Sequence, residues 1–386
     1  MFEKIGNNVE YSAWGGEANY NWYYKNIIGK KGVEKTEQAI SDSSEFAKSI
    51  GSDIATLKDI GLERKALKEK GLSSGTLKDF EEYLEANPID IGMRKELLAY
   101  YSANKHINDD MKKAKREQVI WIIKNLPKTD IAGEASMMLD PLMDGEAYET
   151  AKEIWLEYIE KYENYVDINR NAGKFFARHE QDIAVKCFKK AQSLDPRNKE
   201  WSDQLGKLYK LKMATAPENE RVSIGKKAFK QFEISLKNAK SDVDKFYVLG
   251  SAAKMAYEAG DIKEAENYAN ELLAQADKYG FNWNYGNAIH HGNIVLGRIA
   301  LESGDLGTAK QYLIKAGETP GSPQLNSFGP NMALAKELLE KNEREIVIQY
   351  FELCGNFWEL GQDDLNRWTT IVREGGTPDF RANLMY

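Results

Sequence analysis

Four cations, Lys207, Lys254, Arg298 and Lys336, stand at the ninth place of four segments that begin at Lys199, Phe246, His290 and Phe328. Basic groups repeated at one register hold carboxylates through charge-assisted hydrogen bonds. The ordinary alternative is that they solvate a helix face. A second set lies at 282–293, where Asn282, Asn284, Asn287 and Asn293 are interleaved with Trp283, Tyr285, His290 and His291. A primary amide both donates and accepts, which suits the unpaired backbone of an extended peptide. Helix capping and buried polar pairs account for the same letters. A third set, Asn326 and Asn331, falls in 317–331, a stretch with three prolines and three glycines that reads as a long loop. Long loops often carry function, and a packing clasp is the competing reading. The expected peptide-binding residues are therefore Lys207, Lys254, Arg298, Lys336, Asn287, His291, Asn293, Asn326 and Asn331.

Other chemistry has little support in the letters. His290 and His291 are adjacent, so on a helix they point about 100° apart and chelate one ion poorly. The chain has four histidines, no glycine-rich phosphate loop, no nucleophile elbow and no metal-spaced His/Cys set. No catalytic residue, metal or cofactor is expected. The net charge of -7 opposes a purely electrostatic grip on nucleic acid, so a peptide or protein segment, acidic in character, is the expected partner rather than nucleic acid. Cys187 and Cys354 lie far apart in the chain and read as small buried thiols rather than a disulfide. No run of apolar residues is long enough for a membrane span, so no membrane insertion is expected. The opening residues lack the order of a secretory signal, which points to a cytoplasmic location unless an export signal has been removed.

These side chains need helices to position them. Residues 1–32 are rich in aromatics and glycine, which read as a packing face. At 67–78 a glycine turn followed by Ser73, Ser74 and Leu77 superficially matches a helix-turn-helix, although a capped helix start explains it as well. Pro88 separates two helices, and a further helix over 112–125 turns Val119, Ile120, Ile122 and Ile123 inward. Pro141 is expected to interrupt a first helix and make 132–143 irregular. After the loop, Phe357, Trp358, Leu365, Trp368 and Val372 form an amphipathic capping helix, with an extended tail from Thr377.

Four segments end one helix and build the next alike. Ala184, Phe188, Ala191 and Pro196 stand in one, and Gly260, Asp261 and Ala265 in another. Leu296, Gly297, Gly304, Asp305, Ala309 and Ala316 form a third, and Leu334, Val347, Phe351 and Cys354 a fourth. With Ala172, Phe175, Asp195, Leu205, Gly206, Tyr209 and Ala253, this pattern resembles the tetratricopeptide repeat family and is similar to repeat proteins of bacteria. Extra residues around Pro217, and Asn342 in place of the turn glycine, depart from it.

The resemblance implies an all-α fold, an α-solenoid of tetratricopeptide-like helical hairpins with a helical N-terminal extension and a C-terminal capping helix. Residues 1–79 would be the aromatic N-terminal region, 80–360 the superhelix and 361–386 the cap and tail. Each helix pair of about 34 residues must stack on its neighbours to bury its apolar face. In that family the first helices line the groove, which would set the four cations in a row there. The implied function is a peptide-binding scaffold. The alternatives are a peptide-responsive transcription regulator whose N-terminal helices touch DNA, and an enzyme with a pocket between the Asn/His helix and the 317–331 loop.

Overall fold

The computed structural model describes residues 74–104 and 109–384. The aromatic N-terminal stretch and most of the helix-turn-helix-like segment lie outside those residues. The described residues are helical throughout, with no strand among them. They fall into two compact units, 74–208 and 209–384.

In the first unit the helices are α1 (Ser74–Ala86), α2 (Ile91–Asn104), α3 (Asp109–Asn125), α4 (Pro141–Lys161), α5 (Val166–Phe176) and α6 (Gln181–Leu194). Pro88 separates α1 from α2 as expected. Pro141 starts a helical turn rather than interrupting one, but the chain stays irregular just beyond it, because α4 is kinked at Gly145, where φ is 36°. Asp140 caps α4 by accepting from the backbone of Leu142 and Met143, and proline fits the first helical turn, where its missing N–H has no partner to lose. Two 3₁₀ turns, at Asp130–Gly133 and Ala135–Met137, precede it. Successive helices from α1 to α6 pack on one another. Val119, Ile122 and Ile123 are buried, as are Trp155, Phe176 and Phe188.

Helix α7 (Lys199–Thr215) carries the boundary between the units. The second unit continues with α8 (Glu218–Lys237), α9 (Asp242–Glu258), α10 (Ile262–Lys278), α11 (Tyr285–Glu302) and α12 (Leu306–Gly317). It ends with α13 (Pro323–Phe328), α14 (Ala333–Glu340), α15 (Arg344–Cys354) and α16 (Gln362–Arg373). The residues around Pro217 lengthen α7 and α8, with Pro217 itself at the start of α8. Each helix from α8 to α12 packs on the next. In addition α11 packs directly on both α9 and α14, and α12 on α15, so first helices face first helices and second helices face second helices. That is the packing of a solenoid of helical hairpins.

Small residues make the pairing possible. Ala184, Ala265, Ala309 and Ala316 are fully buried. At Gly297 an added Cβ would lie 2.3 Å from Leu334 Cδ2, so α11 and α14 approach closely there. The turns share a left-handed residue: Gly260 has φ 80°, Gly304 φ 87° and Asn342 φ 61°. Asparagine tolerates that region because its side chain is short and polar, so the departure in the last turn keeps the conformation of the others. Asp261 and Asp305 then cap α10 and α12.

The end of the unit is closed by Trp358, Trp368 and Phe380, which pack on the core of α12, α14 and α15. The tail is not merely extended. It ends in a 3₁₀ turn, Arg381–Leu384, and the Asn383 amide donates to the carbonyls of Phe328 and Pro330, at 3.1 and 3.0 Å.

Candidate binding face

Helices α9, α11 and α14 of the second unit pack side by side, α11 touching both of the others. Three regions along them behave differently.

At the start of α11 the asparagines hold the protein to itself. Asn282 donates to the Tyr247 hydroxyl at 2.9 Å, and Tyr247 stacks on Trp283 with ring centres 5.3 Å apart. The Asn287 amide donates to Asn284 Oδ1 and Gln324 Oε1, and its oxygen accepts from the Ser322 hydroxyl at 2.5 Å. Thr319 Oγ1 donates to the Gly286 carbonyl at 2.8 Å. The 317–331 stretch is thus a short helix, α13, clamped against α11 rather than an open loop. The contact is close: a Cβ added to Gly286 would lie 1.7 Å from the Gly321 carbonyl oxygen. The long stretch and the Asn/His helix do meet, as the sequence predicts, but they meet as a filled junction.

His290 completes this junction. It is fully buried, its Nδ1 lies 3.1 Å from the Ala316 carbonyl oxygen, and its Nε2 accepts from the Asn331 backbone N–H at 2.9 Å. Those partners fix a neutral ring with the proton on Nδ1. Burial lowers its pKa to about 4, outweighing the Ala316 carbonyl, which favours the charged form. Asn331 also accepts from Ala333 N–H through its side chain and from the Tyr350 hydroxyl through its carbonyl. Asn293 donates to the carbonyl of Ile289 within its own helix and is buried. Asn326 is partly buried beside Gly321.

The second region is an ion-paired stripe. Arg298 lies 2.6 Å from Glu258 on α9 and 2.7 Å from Glu337 on α14, with its guanidinium 4.2 Å above the Tyr257 ring. Burial alone would lower its pKa, yet Glu337 and Glu258 hold the guanidinium above its ordinary range. The four cations are therefore not four equivalent rungs. In α14 the residue turned to Arg298 is Glu337, and Lys336, one position earlier, is exposed. A single residue is about 100° of helix, enough to move a side chain off the stripe. Lys207 is exposed on the part of α7 that belongs to the other unit.

The third region is a nitrogen cluster, and the sequence reading missed one member. Lys210 on α7 lies near enough to Lys254 on α9 to act on it, and the charge of Lys254 reaches both His290 and His291 on α11. His291 lies against Gly250, one turn before Lys254. Burial, then Lys210, holds the Lys254 ammonium well below the usual lysine range. Burial, then Lys254, His290 and Lys210, does the same for His291. Among the described residues no carboxylate pairs with Lys254 or His291, and His291 Nδ1 is buried without a hydrogen-bond partner. The signal for Lys210 was weak: it stands one helical turn after Lys207, outside the ninth-place register.

Cys187 and Cys354 are both buried and free, and burial pushes the Cys187 thiol up to about 12. Among the described residues no group of three or more His, Cys, Asp and Glu side chains is arranged to hold a metal ion. Nor is any described helix long and apolar enough to cross a membrane.

No protein-family model matches the chain, and no curated protein matches it. Among solved structures, one described as "Human IFIT1 dimer with PPP-AAAA" is similar at 17% identity, covering 97% of this chain and 84% of that one, with a TM-score of 0.45.

Proposed function

We propose that the second unit is a scaffold that takes an extended, acidic peptide or protein segment along the face formed by α9, α11 and α14. On this reading the chain is a tetratricopeptide repeat protein, similar to those of bacteria, acting in the cytoplasm. The observation that carries it is the nitrogen cluster. A wall that pairs Arg298 with two glutamates leaves Lys254 and His291 with no carboxylate, and the His291 Nδ1 atom is buried without a hydrogen-bond partner, which is costly. A ligand carboxylate or other anion would relieve that cost. Lys336 is an exposed cation suited to longer-range attraction. Asn287, Asn293 and Asn331, which bond within the protein, support the shape of the wall, with Asn326 beside them.

The test is fluorescence anisotropy with a labelled glutamate-rich peptide. Lys254→Ala combined with Lys336→Ala is expected to weaken binding by about tenfold at low salt and less at high salt, because screening removes the exposed contribution. Equal binding by the wild type and the variant at low salt contradicts the proposal.

A further inference from the structure

We propose that Tyr162 and Tyr165, with Lys124, Lys128 and Lys161 around them, form a seat on the first unit for the unpaired bases of a single-stranded nucleic acid. The seat is independent of the peptide reading of the second unit. A row of aromatic rings runs from the core to the surface at the ends of α3 and α4. Buried Trp155 meets Tyr158 on α4, Tyr158 meets Tyr162 at the end of that helix, and Tyr162 meets Tyr165 at the start of α5. Each pair is edge to face, with ring centres 6.3, 5.7 and 5.9 Å apart. The Tyr158 hydroxyl donates to the Lys124 carbonyl at 3.1 Å, which ties the row to the end of α3. The outer rings are thus held in place by packing, yet Tyr165 remains 49% exposed.

Ammonium groups surround the same two rings. Lys128 Nζ lies 3.6 Å from the centre of the Tyr165 ring and 5.6 Å from that of Tyr162, and Lys161 Nζ lies 5.4 Å from Tyr162. Lys124, Lys128 and Lys161 are exposed, and among the described residues none of the three pairs with a carboxylate. Nearby acids have other partners: Glu163 meets Lys190 at 3.5 Å, and Asp130 and Asp167 meet Arg170 at 2.6 and 3.2 Å. Glu157 and Glu160 are exposed on α4, so charge alone does not make this an anion site. An acidic peptide would use the ammonium groups and leave the rings without a role. A cationic segment would find the rings but meet three like charges. A nucleotide strand brings a flat π face and an anion in every unit, which matches both features. The strand must be single, because in a duplex the faces of the bases are already stacked on one another. The net charge of -7 opposes a grip by charge alone, and here stacking supplies the other part.

The experiment is fluorescence anisotropy of the full chain with a labelled single-stranded oligonucleotide of about ten nucleotides, and with its duplex, across a range of salt. The single strand is expected to bind and the duplex to bind more weakly. Tyr165→Ala should weaken the single strand by about tenfold or more, and Tyr165→Phe, which keeps the ring, should recover most of that loss. Lys128→Ala should weaken binding and flatten its salt dependence by a slope of about 0.7, one phosphate contact. No binding by the wild type, equal or tighter binding of the duplex, or binding untouched by Tyr165→Ala overturns the seat. Should Tyr165→Ala fail to fold by circular dichroism, Lys128→Ala with Lys161→Ala is expected to show a loss of the same order, and retained binding there overturns it too. A labelled glutamate-rich peptide supplies the last arm. If its binding is lost with Tyr165→Ala, the rings belong to a protein partner and the nucleic-acid seat is overturned; if its binding is unchanged, the two sites are separate as proposed.

Discussion

His290 and His291 are neighbours on α11 and meet opposite surroundings. His290 is fully buried and both ring nitrogens have partners, so it works as a bracket between α11, Ala316 and Asn331. His291 has a buried nitrogen with no partner and faces two lysines rather than an acid. The first arrangement stabilises the fold, and the second costs it stability. A polar cluster that is kept although it is costly is where a binding role is to be sought, because satisfied polar networks are explained by structure alone.

Substitutions divide along that contrast. The largest effect is expected at the filled junction. Gly286→Ala would drive a Cβ into the Gly321 backbone carbonyl, which has no side chain to move aside, and should cost about 3 kcal/mol, seen as a lower urea midpoint. His290→Leu would leave the Asn331 N–H and the Ala316 carbonyl buried and unpaired, at a cost of about 2–3 kcal/mol by the same measurement.

The His290 bracket also gives a pH dependence. Its folded pKa, near 4, lies below the usual histidine value, so between the two the unfolded chain binds more protons. The stability from the neutral ring is complete above about pH 6.5 and is lost as the pH falls toward 4, by roughly 3 kcal/mol. His291 acts in the same direction. Comparing wild type with His290→Leu across that window isolates the contribution, and the variant should show a flatter profile.

The ion-paired stripe stands between the two extremes. Arg298→Met would leave Glu258 and Glu337 facing each other, partly buried, and should destabilise by about 2 kcal/mol at neutral pH. An Arg298→Met variant as stable as the wild type would mean that the stripe is solvated like an ordinary surface pair.

Much of the fold was legible because it depends on local rules. Gly260 and Gly304 mark turns that need a left-handed residue, Asp261 and Asp305 mark the helix starts that follow, and Ala265 and Ala309 mark close approaches. Even Asn342, read as a departure, obeys the same conformational rule. Pro141 was misread because proline both breaks a helix and begins one, and only the Asp140 cap decides between them.

The candidate site was less legible. Counting to a ninth position places Lys254, Arg298 and Lys336 on first helices, yet it does not say which neighbour each meets. That Glu258 and Glu337 close on Arg298, and that Lys210 comes to Lys254, are matters of register between helices far apart in sequence. Asn287 and Asn293 read as groups for a peptide backbone, and the groups they bind here are the protein's own.

The smallest expected change has the opposite sign from the others and tests the contrast most directly. Urea denaturation at neutral pH of Lys254→Met beside His290→Leu, with no ligand present, compares the two regions under one condition. Removing a partly buried amine that lies near another amine should leave stability unchanged or raise it by about 1 kcal/mol, while His290→Leu lowers it. A Lys254→Met variant destabilised as much as His290→Leu would contradict this, and would make the nitrogen cluster part of the framework rather than a place kept open for a ligand.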